Sequence, residues 1–304
     1  MATQSMTAPR RTPAVPKPPS LLERLGPKAR AIAWSVLVIG ILLIVLYPLA
    51  WMFGSSFKAQ SEIVNNFSMF PTEFTPGNYP EGWNHLDVSF GRFFINSTFL
   101  ALACVVGNAL SCLITAYAFA RLKFPLRGMW FSIMIGTLLL PHHVLIIPQF
   151  ILFKTFGWVG EPFPYTPLIV PHLLACDAFF VFLMVQFMRG IPQDLDQAAK
   201  IDGCSAFGVF RYVILPLSKP ALITTAIFSF IWTWNDFFRQ LVYLSQLDNQ
   251  TVPVALRLFI DSTGQSTIGP MFAMAFVSLL PILMFFVAFQ RLLVEGINTS
   301  GLKG

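Results

Sequence analysis

Charge is scarce in this sequence. Only 11% of its 304 residues are Asp, Glu, Lys or Arg, where a soluble domain carries about 25%. That shortage excludes an ordinary cytosolic enzyme, a disordered chain and a protein that wraps nucleic acid. Cysteine is sparse as well. Cys104, Cys112, Cys176 and Cys204 show no C-x-x-C spacing and lie in or beside apolar or loop segments. They read as free thiols, not as a disulfide framework. A phosphate-binding loop is also missing. It requires G-x-x-x-x-G-K-[ST], whose backbone amides cradle phosphate. The one Lys followed by Ser or Thr is Lys154-Thr155, and its two glycine positions hold Pro148 and Phe153. The chain is therefore not expected to hydrolyse ATP itself.

What is abundant is apolar: 55% of the residues are hydrophobic, and Phe alone counts 32. Long intervals carry no charge. Arg30 to Lys58, Arg92 to Arg121, Arg127 to Lys154 and Asp261 to Arg291 leave 27, 28, 26 and 29 uncharged residues. Glu161 to Arg189 leaves 27, broken only by Asp177. Each exceeds the roughly 20 residues that cross a bilayer core as helix. A further run, Lys219 to Asp236, leaves 16. At 1.5 Å per residue that is about 24 Å, too short unless a flanking charge sits at membrane depth. Lys219 can snorkel, which leaves Asp236 to be explained. The expected fold is an all-α integral membrane bundle of six helices, with spans near 32–53, 93–120, 128–153, 166–188, 217–238 and 270–290. The first span is too long and too far into the chain for a cleaved signal peptide, and reads as a retained anchor.

The basic residues sort by side. Fifteen of the 20 Lys and Arg flank the spans on one face and five on the other. The positive-inside rule then puts both termini in the cytoplasm. It also accounts for most of the net charge of +6, so no nucleic-acid partner is needed. Residues 1–30, rich in Pro with scattered Arg and Lys, are expected to be a disordered cytoplasmic tail. The external loop of residues 54–92 carries Glu62, Glu73, Glu81 and Asp87, and is long enough for a small lid or partner surface.

The cytoplasmic loop of residues 189–216 is patterned. It reads as two short helices joined at Gly203. Pro192 suits a first helical turn, and Asp194 and Asp196 place negative charge near that N-terminus. Leu195, Ala198, Ala199 and Asp202 share a face at i, i+3, i+4 and i+7. Gly203 suits the left-handed position that ends a helix, and Ser205 can cap the next one. The second helix shows Phe207, Phe210 and Ile214 on one side. Two exposed aromatics there would form a plug for a groove on another protein. The alternative is an amphipathic loop packed under its own bundle.

This stretch resembles the EAA loop of ATP-binding-cassette importer permeases: E-A-A, three residues, then G, followed by an apolar run ending L-P. Here it stands as Gln197-Ala198-Ala199-Lys200-Ile201-Asp202-Gly203, reaching Leu215-Pro216. Other matches follow in order: Asn96-Ser97-Thr98, Ala116-Tyr117-Ala118-Phe119-Ala120-Arg121-Leu122, Trp234-Asn235-Asp236-Phe237 and a tail of Glu295-Gly296 with Lys303-Gly304. Together they look like the maltose-type sugar importers. Gln197 departs from the family's Glu, and carries no charge for an ion pair there. The resemblance implies a permease subunit of the bacterial inner membrane. Its implied partners are a second permease, two cytoplasmic ATPases holding ATP and magnesium, and an extracytoplasmic solute-binding protein. No cofactor would be bound by the chain itself. Asp196, Gln197, Ala198, Ala199, Asp202, Gly203, Phe207 and Phe210 would couple to the ATPase, and Glu295, Gly296 and Lys303 would reach it from the tail. The solute would be a sugar or oligosaccharide, or glycerol phosphate or a polyol.

A gradient-driven carrier or channel is the competing class. Against it stand the patterned loop and the lack of a set of intramembrane carboxylates. Asp177, mid-run with His172 five residues earlier, is either part of a pathway or hydrogen-bonded to a neighbouring helix. Trp232, Trp234, Asn235 and Asp236 either line a cavity or anchor at the interface. His142-His143 is no ready metal pair, because adjacent residues diverge on a helix. It sits where Pro141 and Pro148 break or kink the third span.

Overall fold

The computed structural model describes residues 26–260 and 267–300. The proposed tail of residues 1–30 therefore lies outside the described residues except for its last five, and Lys303 lies outside as well. Among the described residues the secondary structure is helical throughout.

α1 runs Pro27–Ser55. Pro27 opens it, where a missing N–H costs nothing. The chain divides into two compact units, residues 1–51 and 52–304. In the first, Ile32, Leu37, Ile41 and Ile44 all stand at least half exposed around the helix. A helix apolar on every side belongs in lipid or against another membrane helix.

The second unit begins with two short helices, α2 (Gln60–Asn65) and α3 (Asn78–Asn84). α4 (Phe90–Arg121) is the long helix at its centre. α5 (Arg127–Thr137) and α6 (His142–Thr155) follow, then α7 (Thr166–Leu173) and α8 (Ala178–Arg189). The patterned loop holds α9 (Gln193–Ile201), α10 (Ala206–Val209), a π-helical turn (Phe210–Ile214) and α11 (Leu215–Leu217). α12 (Lys219–Asn235), α13 (Phe238–Tyr243), α14 (Val252–Arg257) and α15 (Ile268–Ser300) complete the chain.

α4 packs against α12, α8, α7 and α14, and α12 packs against α15. At the Phe90 end the core is Phe90, Phe93, Phe230, Trp234, Phe259 and Met274. At the Arg121 end it is Leu113, Tyr117, Phe180, Met184, Met188 and Ile214. Polar groups register the long contacts. Asn96 donates its amide N–H to the carbonyls of Asp248 and Gln250, both at 2.8 Å, and Ser97 Oγ accepts the Val252 N–H at 2.9 Å.

Among the described residues all six charge-poor runs hold helix, but not six uniform spans. Pro27–Ser55, Phe90–Arg121, Thr166–Arg189 and Ile268–Leu292 are long and apolar enough to cross a membrane. α12 joins them only if counted with the preceding Ala206–Leu217, from which it is bent by 69°. The run expected at 128–153 is divided at Leu138–Pro141. Pro141 takes an extended conformation there and starts α6, because its ring blocks the bond to the preceding turn. The run at 166–188 is interrupted too, at Leu174–Asp177, where Ala175 has φ +55°.

Candidate functional site

The loop after α8 is held by its own chemistry. Asp194 and Asp196 sit in the first turn of α9, where the helix dipole favours them. Pro192 lies one position before that turn, as its cap residue. α9 ends in a Schellman motif: the Cys204 N–H reaches Ala199 O at 2.9 Å and the Gly203 N–H reaches Lys200 O at 3.0 Å. Gly203 has φ +87°. No atom lies within 4 Å of where its Cβ would be, so the demand for glycine is conformational, not steric. Ser205 caps α10, its Oγ accepting the Gly208 N–H at 3.3 Å.

The faces divide differently from the expected split. Gln197, Ala198, Asp202, Gly203 and Phe207 are exposed, as are Leu195 and Ile201. Asp196 is not: it is buried and ion-paired with Arg121, Nε to Oδ2 at 3.2 Å. Ala199 is half-buried against the bundle core. Phe210 is also turned inward, its ring 5.0 Å from that of Tyr117. Of the two aromatics expected to form the plug only Phe207, 71% exposed, faces outward; Tyr212 is the loop's other exposed ring. Arg121 and Tyr117 were not legible as loop partners. A single Arg closing an apolar helix reads only as a mark of orientation.

A second polar group lies inside the bundle. His172 Nδ1 meets Asp177 Oδ2 at 2.6 Å and Asn108 Oδ1 at 3.3 Å. Asn108 donates to Ser229 Oγ at 2.9 Å, and Ser111 Oγ donates to the His172 carbonyl at 2.6 Å. Asp177 therefore finds its partner on α7, within the same interrupted span. The sequence shows both residues, but not the turn at Ala175 that brings them together. Asn108, Ser111 and Ser229 gave no signal, since single small polar residues in apolar runs are common.

The residues at the end of α12 separate. Trp234 is 2% exposed, stacked on Phe230, and donates its indole N–H to Ser278 O at 3.2 Å. It is a core residue. Trp232 is exposed beside Phe179 and Phe180. Asn235 is exposed and donates back to Ile231 O on its own helix. Asp236 is the C-cap of α12 and lies just before α13: Oδ1 accepts the Arg239 N–H at 3.2 Å and Oδ2 pairs with Arg239 Nε at 2.5 Å. That pair explains how a carboxylate is tolerated next to a short span. His143 packs edge-on against Phe238. Glu295 and Gly296 lie on the backbone of α15.

Fold and site together define a multi-span helical membrane protein that carries a capped two-helix loop anchored on its central helix. The family profile described as binding-protein-dependent transport system inner membrane component matches residues 107–299. The chain belongs to that family. It is 32% identical over 280 residues to the trehalose transport system permease protein of Mycobacterium tuberculosis, covering 90% of this chain and 98% of that one. It is 30% identical over 287 residues to a diacetylchitobiose uptake system permease protein of Streptomyces coelicolor, covering 94% and 99%. Its fold is shared with a chain of a bacterial ABC transporter that imports the acidic polysaccharide alginate, at TM-score 0.74 and 22% identity, covering 88% of this chain and 98% of that chain.

Proposed function

We propose that this chain is one permease half of an ATP-driven, binding-protein-dependent importer for a sugar or oligosaccharide. It pairs with a second permease, two ATPases work at its cytoplasmic face, and a binding protein delivers solute from outside. ATP and magnesium belong to the ATPases. Both termini lie in the cytoplasm, as the 15-to-5 division of basic residues requires. Residues 31–304 form the permease domain, with six crossings.

The observation that carries this reading is the exposed edge of the capped loop: Leu195, Gln197, Ala198, Ile201, Asp202 and Phe207. A surface apolar residue on a helix held rigid at both ends is an anchor for a partner's cleft. The sugar class is supported by the relatives, whose names specify trehalose and diacetylchitobiose. Asp177 with His172, and the exposed Trp232 and Asn235, are the groups available to a solute path. Asp236 can reach it only by releasing Arg239.

The test is capture of the co-expressed ATPase by tagged permease. Phe207→Arg and Gly203→Val should leave the helices inserted and lower capture about tenfold or more. Gln197→Glu should be mild, because the position is exposed. Wild-type capture by both disruptive variants removes the loop as the docking element. Uptake that survives ATP depletion but not a protonophore would favour the gradient-driven class. A solute screen against the binding protein separates sugars from glycerol phosphate and polyols.

A further inference from the structure

We infer that Arg121 is a positioning residue that fastens the whole loop to α4, so that loop and central helix move as one body. The inference rests on the proposed reading of the loop as the ATPase-docking element. Arg121 and Tyr117 are one turn apart on the same face of α4. Arg121 pairs with Asp196 in α9, and its Nη2 donates to the Ile191 carbonyl at 2.7 Å. Tyr117 Oη donates to the Ala206 carbonyl at 2.7 Å. Ile191 and Asp196 precede Gly203, and Ala206 follows it. Both helices of the loop are thus tied to a single turn of α4. A bend at Gly203 would break one tie or the other.

The ion pair is sealed, with side chains 4% and 11% exposed for Arg121 and Asp196. Salt screens a buried pair little, and taking away one partner strands the other's charge. The other routes out of the loop are less direct. Towards α8 the chain passes through Gly190-Ile191-Pro192, and towards α12 it passes a 69° bend. α4 runs on unbroken from Arg121 to Asn108, about 20 Å along the helix. There Asn108 touches both Ser229 of α12 and His172 of α7. A push on the loop is therefore delivered to the residue that joins three helices inside the bundle.

Mere spatial continuity is not coupling, so the test reads rigidity directly. Nitroxide labels are placed at Leu102→Cys on α4 and Asp194→Cys on the loop. The complete complex is reconstituted with its ATPases, and the label distance is measured without nucleotide and with MgATP plus vanadate. With Arg121 present the distribution should be narrow and the same in both states. In Arg121→Gln and in Asp196→Asn it should widen about twofold or more and shift with nucleotide. Arg121→Lys, which keeps the ion pair but loses the guanidinium fork, should recover most of the narrow distribution. Wild-type widths in both states for Arg121→Gln and Asp196→Asn overturn the inference. So does failure of Arg121→Gln to assemble while Asp196→Asn keeps the wild-type width, since Arg121 would then be a staple of the fold. Capture of the ATPase by Phe207→Arg is read separately, so the docking reading can fail while the widths still report on Arg121.

Discussion

Trp234 illustrates how a residue's environment overrides its type. In sequence it sits beside Asn235 and Asp236, a mixture that suits sugar binding. In the fold its indole is enclosed, with Phe230 on one side and Ser278 accepting its N–H. Removing a buried aromatic of this size costs roughly 3 kcal/mol or more. Trp234→Ala should therefore lower the melting temperature and the yield of assembled permease. Unchanged melting with lost uptake would return the residue to the solute path. Asp196 carries the same lesson with opposite polarity. An acidic residue in an exposed-looking first turn is expected to face water, and only its contact with Arg121, 75 positions earlier in the chain, turns it inward. By contrast Gly203 and Ser205 were fully legible, because local geometry alone decides a left-handed helix stop and an N-cap.

At the scale of elements, uninterrupted apolar runs gave α1, α4 and α15 directly. The interruptions were harder. Pro141 announces the break between α5 and α6, since proline removes a donor wherever it falls. The break before α8 is not announced by Ala175, an ordinary helix former; its positive φ belongs to a local helix stop in which the Cys176 N–H reaches Pro171 O at 3.2 Å. The segment between α1 and α3 has an internal order that composition did not reveal. Lys58 is fully buried, its Nζ donating to the Ser68 carbonyl at 2.5 Å. Asn78 donates to the carbonyls of Ser56 and Lys58, both at 2.9 Å. The Thr72 N–H donates to Glu62 Oε1 at 2.8 Å and holds that carboxyl below its usual range. A carboxyl lowered in the folded state stabilises above the unfolded value, near 4.3. That contribution is lost as pH falls through the lower folded value. Exchange protection at Thr72, corrected for intrinsic rates, should hold at neutral pH and fall below about pH 4. Glu62→Gln should abolish that pH dependence. Persistence of the dependence in the variant would assign it to another group.

For the whole molecule, orientation follows from charge and is open to a direct check. Single cysteines at Ser68 and Ser205, both exposed, in a cysteine-free background should label from opposite sides of intact cells. Labelling of both by an impermeant external reagent would reverse the reading of the loop as cytoplasmic. What the sequence could not supply at this scale is the pairing across distance. A hydrophobic run states that it will be buried, but not which run it will meet. The register in which α4 meets α12 and α14 is marked by lone Asn and Ser side chains set among apolar contacts.

Those side chains also set a timetable. Asn108 finds its Ser229 partner 121 residues later in the chain, and Ser97 waits 155 residues for the Val252 N–H. At about 5–20 residues per second of synthesis, the first of these gaps lasts roughly 6 to 24 seconds. During that interval the central helix is already made, while the bonds that seat it do not yet exist. Its polar groups must be sheltered by the insertion machinery or by water until the second half of the chain emerges, so the helix on which the architecture depends is the one that waits for its partners.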